Sequence, residues 1–144
     1  MPGLLTDVRN GKCPIIKANI AYPQDRWTGT ADRPMQEVNC LIDTGATHVV
    51  ITPELVQQLQ LPLAGSLDQT VVGATVIPSK TYRCDVVFSG IRAMAPNSPY
   101  TYTVSNAEAI ETTLSGYDAI IGWDVMGGMD LVFRRDGSFS LHYP

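Results

Sequence analysis

The segment Val38 to Ile51, Val-Asn-Cys-Leu-Ile-Asp-Thr-Gly-Ala-Thr-His-Val-Val-Ile, sets a single carboxyl group, Asp43, inside an otherwise apolar block. Strand-forming residues lead into it, Thr44 and Gly45 follow at once, and Val49, Val50 and Ile51 resume the apolar run. Glycine permits a sharp turn and the close approach of a second backbone, while the Thr44 hydroxyl can serve groups freed by that turn. Burial beside Leu41 and Ile42 would disfavour the charged form of the acid, a device by which sites make a carboxyl group reactive. The plainer alternative is an Asx-turn, with Asp43 capping a strand-to-loop junction. The apolar flanks favour a site, because a surface turn has no reason to sit within them.

A second run, Ala119-Ile120-Ile121-Gly122-Trp123-Asp124-Val125-Met126, has two aliphatics, a glycine, and an acidic residue opening a short helix. With Leu41-Ile42-Asp43-Thr44-Gly45-Ala46 it resembles, in the same order, the two fixed segments of the retropepsin-like (retroviral-type) aspartic peptidases. The resemblance extends over roughly Pro14 to His142. It implies an all-β, closed acid-protease barrel with a flap hairpin and one or two short helices, one lobe per chain. It further implies an aspartic endopeptidase in which each subunit of a homodimer supplies one Asp43. Thr44 would interlock with its copy across the two-fold axis, Gly45 would bind substrate backbone, and Ala46 completes the signature.

By the same resemblance, Ile121, Gly122 and Asp124 form the structural motif, with Gly122 where the chain threads past the active-site strand. Tyr117, Asp118, Ile120, His48 and Val50 would line pockets beside the scissile bond, and Gly73, Ala74 and Thr75 would form the flap tip. Two departures occur together: viral members usually carry Asp and Arg, forming an ion pair, where this chain has Thr47 and Trp123. Losing both halves leaves no uncompensated buried charge, and Trp123 packing is the expected replacement.

Two carboxyl groups at hydrogen-bonding distance share one proton, so one member can take a proton from water while the other polarises the scissile carbonyl. Such chemistry calls for no metal and no cofactor. His48 and His142 show no ligand spacing, and no serine or cysteine carries a nucleophile motif. A catalytically silent, dimeric peptide-binding or scaffolding module on the same fold is the competing function. The intact Asp-Thr-Gly-Ala argues against it, since binding alone does not need a costly like-charge pair.

At 144 residues the chain is expected to form one domain, 1–144, too small for the two lobes that would place both aspartates on one polypeptide. A net charge of -4 with scattered Lys and Arg makes nucleic acid an unlikely partner by composition; peptide or unfolded protein is the expected substrate. Cys13, Cys40 and Cys84 lack metal-like spacing, and the last two sit in apolar runs as small core residues. With no signal-like N-terminus and no apolar run of membrane-spanning length, the expectation is a soluble cytoplasmic protein, or a domain excised from a longer one, with no membrane partner.

The remaining chain is read as elements that position these motifs. Met1 to Lys12 shows no period and reads as an arm, although both terminal segments are expected to contribute to the dimer. Pro14 to Tyr22 alternates as a half-buried strand, and Gln24 to Pro34 is a long loop with Trp27 folded back on its own hairpin. Thr52-Pro53-Glu54 starts a helix that Pro62 stops. Asp68 to Phe88 reads as a long hairpin, Ser89 to Pro99 as a loop, and Tyr100 to Ser105 as a strand; Asn106 to Gly116 is ambiguous. Tyr117 to Ile121 should be a buried strand, Asp124 to Met129 a short helix, and Leu131 to Tyr143 a closing hairpin turning at Asp136-Gly137.

Overall fold

The structure is a computed structural model that describes residues 3–8, 13–71, 75–93 and 99–143. The described elements follow in the order β1 (Gly3–Val8), β2 (Ile15–Ala21), β3 (Met35–Ile42), β4 (Val50–Ile51), α1 (Pro53–Leu59), β5 (Leu63–Val71) and β6 (Thr75–Ala93). They continue with β7 (Pro99–Glu111), β8 (Ala119–Ile121), α2 (Trp123–Met126), β9 (Asp130–Phe133) and β10 (Ser138–Tyr143). Six strands, in the order β2-β3-β8-β4-β7-β6, close into a mixed barrel because β6 returns to pair with β2. The class is all-β, as the period-2 alternation of the sequence implies.

Alternation sets which face is core. Along β3, Val38, Cys40 and Ile42 point inward against Ile16, Ala18 and Ile20 of β2, and Ala119 and Ile121 of β8 fill the same interior. Each fully buried aliphatic of this kind contributes roughly 1.5–3 kcal/mol, so the interior holds the barrel walls firmly. The opposite face of β3 and β8 carries half-buried Leu41 and Ile120. Helix α1 forms where the sequence signals it: Thr52 accepts the Leu55 N–H at 3.3 Å, Pro53 occupies the first turn, and Leu55, Val56 and Leu59 are buried.

Besides the shifted ends of short elements such as α2 and β8, two segments depart from the sequence reading, and a third that it leaves ambiguous is partly strand. The arm contains β1, which pairs with β10 over its whole length, from Gly3 opposite Tyr143 to Val8 opposite Ser138. The two terminal strands are thus joined within one chain. The loop expected over Ser89 to Pro99 is shorter, since β6 runs on to Ala93 and pairs Ile91 with Tyr100 and Arg92 with Pro99. The glycine that reads as a breaker, Gly90, lies where the β6–β7 register shifts between Phe88 and Ile91, as at a bulge. Residues 94–98 lie outside the described ones.

Asn106 opens the stretch that the sequence leaves ambiguous. It sits inside β7 at φ +56°, a left-handed conformation that asparagine tolerates better than most residues, opposite a register shift at Cys84/Val86. The buried carboxylate of Asp85 holds this irregularity together. It accepts the Asn106 N–H at 2.9 Å and the Gln24 N–H at 3.1 Å, and it pairs with the guanidinium of Arg33. Arg33 also donates to the Tyr22 carbonyl at 2.9 Å, so one ion pair fastens the Gln24–Pro34 loop to β6 and β7. Trp27 folds onto its own hairpin, edge-on to Tyr22 at 5.5 Å and donating to the Ala31 carbonyl at 2.8 Å.

A buried carboxylate deprived of its cation is worse than no carboxylate. Arg33→Ala should therefore destabilise the chain by about 3 kcal/mol, and Arg33→Ala with Asp85→Ala by less than the sum of the single changes. Urea denaturation of the four species checks this; strict additivity would contradict the network.

Candidate active site

Asp43 begins where β3 ends. Its N–H still follows the sheet, donating to the Ile121 carbonyl of β8 at 3.1 Å, and the chain then turns, with the Ala46 N–H donating to the Asp43 carbonyl at 3.2 Å. The Gly45 N–H donates to the Asp43 carboxylate, Oδ1, at 2.8 Å. This is Asx-turn geometry, as the plainer sequence reading has it, but at the lip of a barrel strand. In a single chain Asp43 is half-buried, less enclosed than the apolar flanks imply, and Thr44 and Gly45 are exposed.

What positions the turn is strand order. β3 and β4 are consecutive in sequence, yet β8 lies between them, parallel to β3 and antiparallel to β4. The 43–49 loop must therefore pass over the end of β8, where Gly122 stands. A Cβ on Gly122 would lie 2.7 Å from both the Ala46 and His48 carbonyl oxygens, so only glycine lets the two backbones come this close.

Beyond Gly122 the first residues of α2 tie down the loop above them. The Trp123 N–H donates to the Ala46 carbonyl at 3.0 Å, the Asp124 N–H to the Thr47 carbonyl at 3.0 Å, and the Asp124 carboxylate accepts the Val49 N–H at 3.0 Å. The indole N–H of Trp123 donates to the Thr44 carbonyl at 2.6 Å. The sequence alone offers Trp123 only as a packing replacement for the Arg usual in viral members; its role as a hydrogen-bond donor depends on ring direction, which spacing does not encode.

The residues singled out in the sequence fall into four groups. Asp43, Thr44, Gly45, Ala46, His48, Ile121, Gly122 and Asp124 meet at the loop crossing. Val50 and Ile120 are opposite each other in the β4–β8 pairing, with Leu41 beside Ile120 on β3. Asp118 is turned onto the Asn39 N–H at 3.2 Å and, with Tyr117, borders a groove of about 500 Å³ against Thr52 and Glu54 at the start of α1. Gly73 and Ala74, the expected flap tip, lie outside the described residues, and Thr75 opens β6 opposite Val71 of β5.

Burial pushes the thiols of Cys40 and Cys84 up to about 12, with the charge of Asp118 adding to the first and that of Asp85 to the second. Such thiols stay protonated and unreactive, which leaves them as core residues. Burial also pushes the carboxyl of Asp124 upward, against the opposing effects of the Val49 N–H and His48. Because this folded-state value is raised, the stability it contributes is full below the ordinary aspartate value of 3.8 and is lost as pH rises through the raised one.

A family model described as "Aspartyl protease" matches residues 29–125, which contain the first motif segment and all of the second but Met126. No curated protein matches the chain. Eight chains of solved structures match, among them a retropepsin-like aspartic protease from Rickettsia conorii, at 15% identity and a TM-score of 0.56. That alignment covers 99% of this chain and 92% of the Rickettsia chain, so the likeness extends over the whole barrel. Among the described residues no helix is long and apolar enough to cross a membrane.

Asp124→Asn keeps an oxygen for the Val49 N–H but removes the charge. It should match the wild type in urea midpoint near pH 3 and exceed it increasingly as the pH is raised to neutrality. Asp124→Ala, which leaves the Val49 N–H without its acceptor, should be about 1 kcal/mol less stable than Asp124→Asn at both extremes. Parallel urea melts across that range decide the matter, and a pH-independent offset for Asp124→Asn would contradict the assignment.

Proposed function

This chain belongs to the aspartyl protease family, and on that footing we propose that it is an endopeptidase whose active centre is built from the Asp43 carboxyls of two identical chains. The observation that carries the proposal is the setting of Asp43. It is held at the end of β3 by the Ile121 carbonyl on one side and the Gly45 N–H on the other, with an exposed Thr44-Gly45 edge beside it. The chain holds this motif once, and a two-fold pairing of such edges is the simplest way to bring a second carboxyl to the first.

At hydrogen-bonding distance the two carboxyls retain one proton between them. The ionised member takes a proton from a water held between them as its oxygen attacks the scissile carbonyl carbon, and the protonated member donates to the carbonyl oxygen. The tetrahedral adduct collapses as the amide nitrogen takes up a proton and leaves as an amine. No bond forms between enzyme and substrate. Leu41 and Ile120, half-buried and opposite each other on the face of β3 and β8 away from the core, offer apolar surface that suits apolar residues flanking the cut. The substrate is accordingly an extended peptide or an unfolded protein.

Incubation with an unfolded protein at mildly acid pH tests the reading. The wild type should produce fragments and Asp43→Asn none, whereas a peptide-binding module would bind in both forms and cleave in neither. Specific activity should fall on dilution as pairs dissociate; full activity per chain in a demonstrably monomeric sample would contradict the shared centre.

A further inference from the structure

Trp123 makes two donations to the loop that carries Asp43, and they differ in kind. Its backbone N–H reaches the Ala46 carbonyl at 3.0 Å, a contact that any residue at this position would make. Its indole N–H reaches the Thr44 carbonyl at 2.6 Å, a contact that depends on the side chain. That carbonyl belongs to the same peptide group as the Gly45 N–H, which donates to Asp43 Oδ1 at 2.8 Å.

The described backbone holds no cis peptide bond, so the C=O and N–H of this group point in opposite directions across one rigid plane. Fixing the oxygen fixes where the N–H points. A donor bound to the oxygen also polarises the amide, strengthening its own N–H as a donor. We propose that Trp123 is a positioning residue for Asp43, acting through the Thr44–Gly45 peptide plane: the indole anchors the plane from behind, and the plane presents the Gly45 N–H to the carboxylate.

The energetic logic favours a chemical role over a purely architectural one. Trp123 is 49% exposed, so its ring contributes less to the interior than Val125 and Met126 beside it, which are 2% and 1% exposed. The loop is already fastened by the Trp123 and Asp124 N–H groups and by the Asp124 carboxylate. What the indole adds is control of one peptide orientation, the one that touches the reacting acid. In ordinary surface turns that orientation is free to flip between related turn types.

The proposal rests on reading Asp43 as the catalytic acid, and the test separates the two. Trp123→Phe keeps an aromatic ring and removes the donor; Trp123→Gln keeps a neutral N–H donor and removes the ring. Kinetics on a peptide substrate should show kcat lowered about tenfold in Trp123→Phe with KM unchanged, and largely recovered in Trp123→Gln. Independently of any cleavage, the Gly45 amide proton in an NMR spectrum should move upfield in Trp123→Phe as its bond to the carboxylate weakens, and return in Trp123→Gln. If the wild type cleaves nothing but the Gly45 resonance behaves this way, the positioning stands and the catalytic reading falls. A Trp123→Phe protein with wild-type kcat and an unmoved Gly45 resonance would overturn the positioning role. So would a Trp123→Gln protein no better than Trp123→Phe, since packing alone would then account for the loss.

Discussion

The close passage of Gly122 beneath the 46–48 backbone is the contact on which the site depends. Because β8 is inserted between two strands that are consecutive in sequence, the connection between them has to bridge its end at a separation that excludes a side chain. Everything chemical about the loop follows from that bridge. The Trp123 and Asp124 N–H groups are brought within reach of loop carbonyls, Val49 is delivered to a carboxylate, and Asp43 is left at the end of β3 with its carboxyl group directed toward the Gly45 N–H. A methyl group at position 122 would force the two backbones apart and loosen all of these at once.

The far end of β3 is held differently. There a buried ion pair, Arg33 with Asp85, fastens an eleven-residue loop, Gln24 to Pro34, to the two longest strands of the barrel. Eight residues of strand separate this network from Asp43, roughly 25 Å at the usual strand rise. The contrast is physically sensible. At Met35 the chain only has to stay attached, and charge desolvated in a pair does so; at Ile42 it has to present one particular carboxyl group, and backbone hydrogen bonds of fixed geometry are better suited to that.

How much of this could be read in the sequence varies with the range of the interaction. The two motif segments, helix α1 and the closing hairpin are legible because caps, prolines and alternation are local signals. Strand β1 is not, because nothing within Gly3–Val8 announces that β10 will cover it along its whole length. Gly90, within an expected loop, and Asn106, at the start of an ambiguous stretch, are hard to read for a related reason: each is absorbed as an irregularity inside a long strand pair, Asn106 because Asp85, twenty-one residues away, accepts its N–H. Within the site, residue types mark Asp43, Gly45 and Gly122. The indole bond to Thr44 and the turning of Asp118 onto Asn39 depend on side-chain directions that only the assembled strands set.

The proposed function makes this carboxyl, with its neighbours Thr44 and Gly45 left open, half of a catalytic pair. Subunit mixing tests that claim most directly. Wild type and Asp43→Asn chains are combined at constant total concentration, allowed to exchange, and assayed for peptide cleavage across the range of ratios. If each centre needs both carboxyls, activity falls as the square of the wild-type fraction, to about a quarter in an equal mixture. A linear fall, with about half the activity remaining, would show that one Asp43 suffices and would contradict the account.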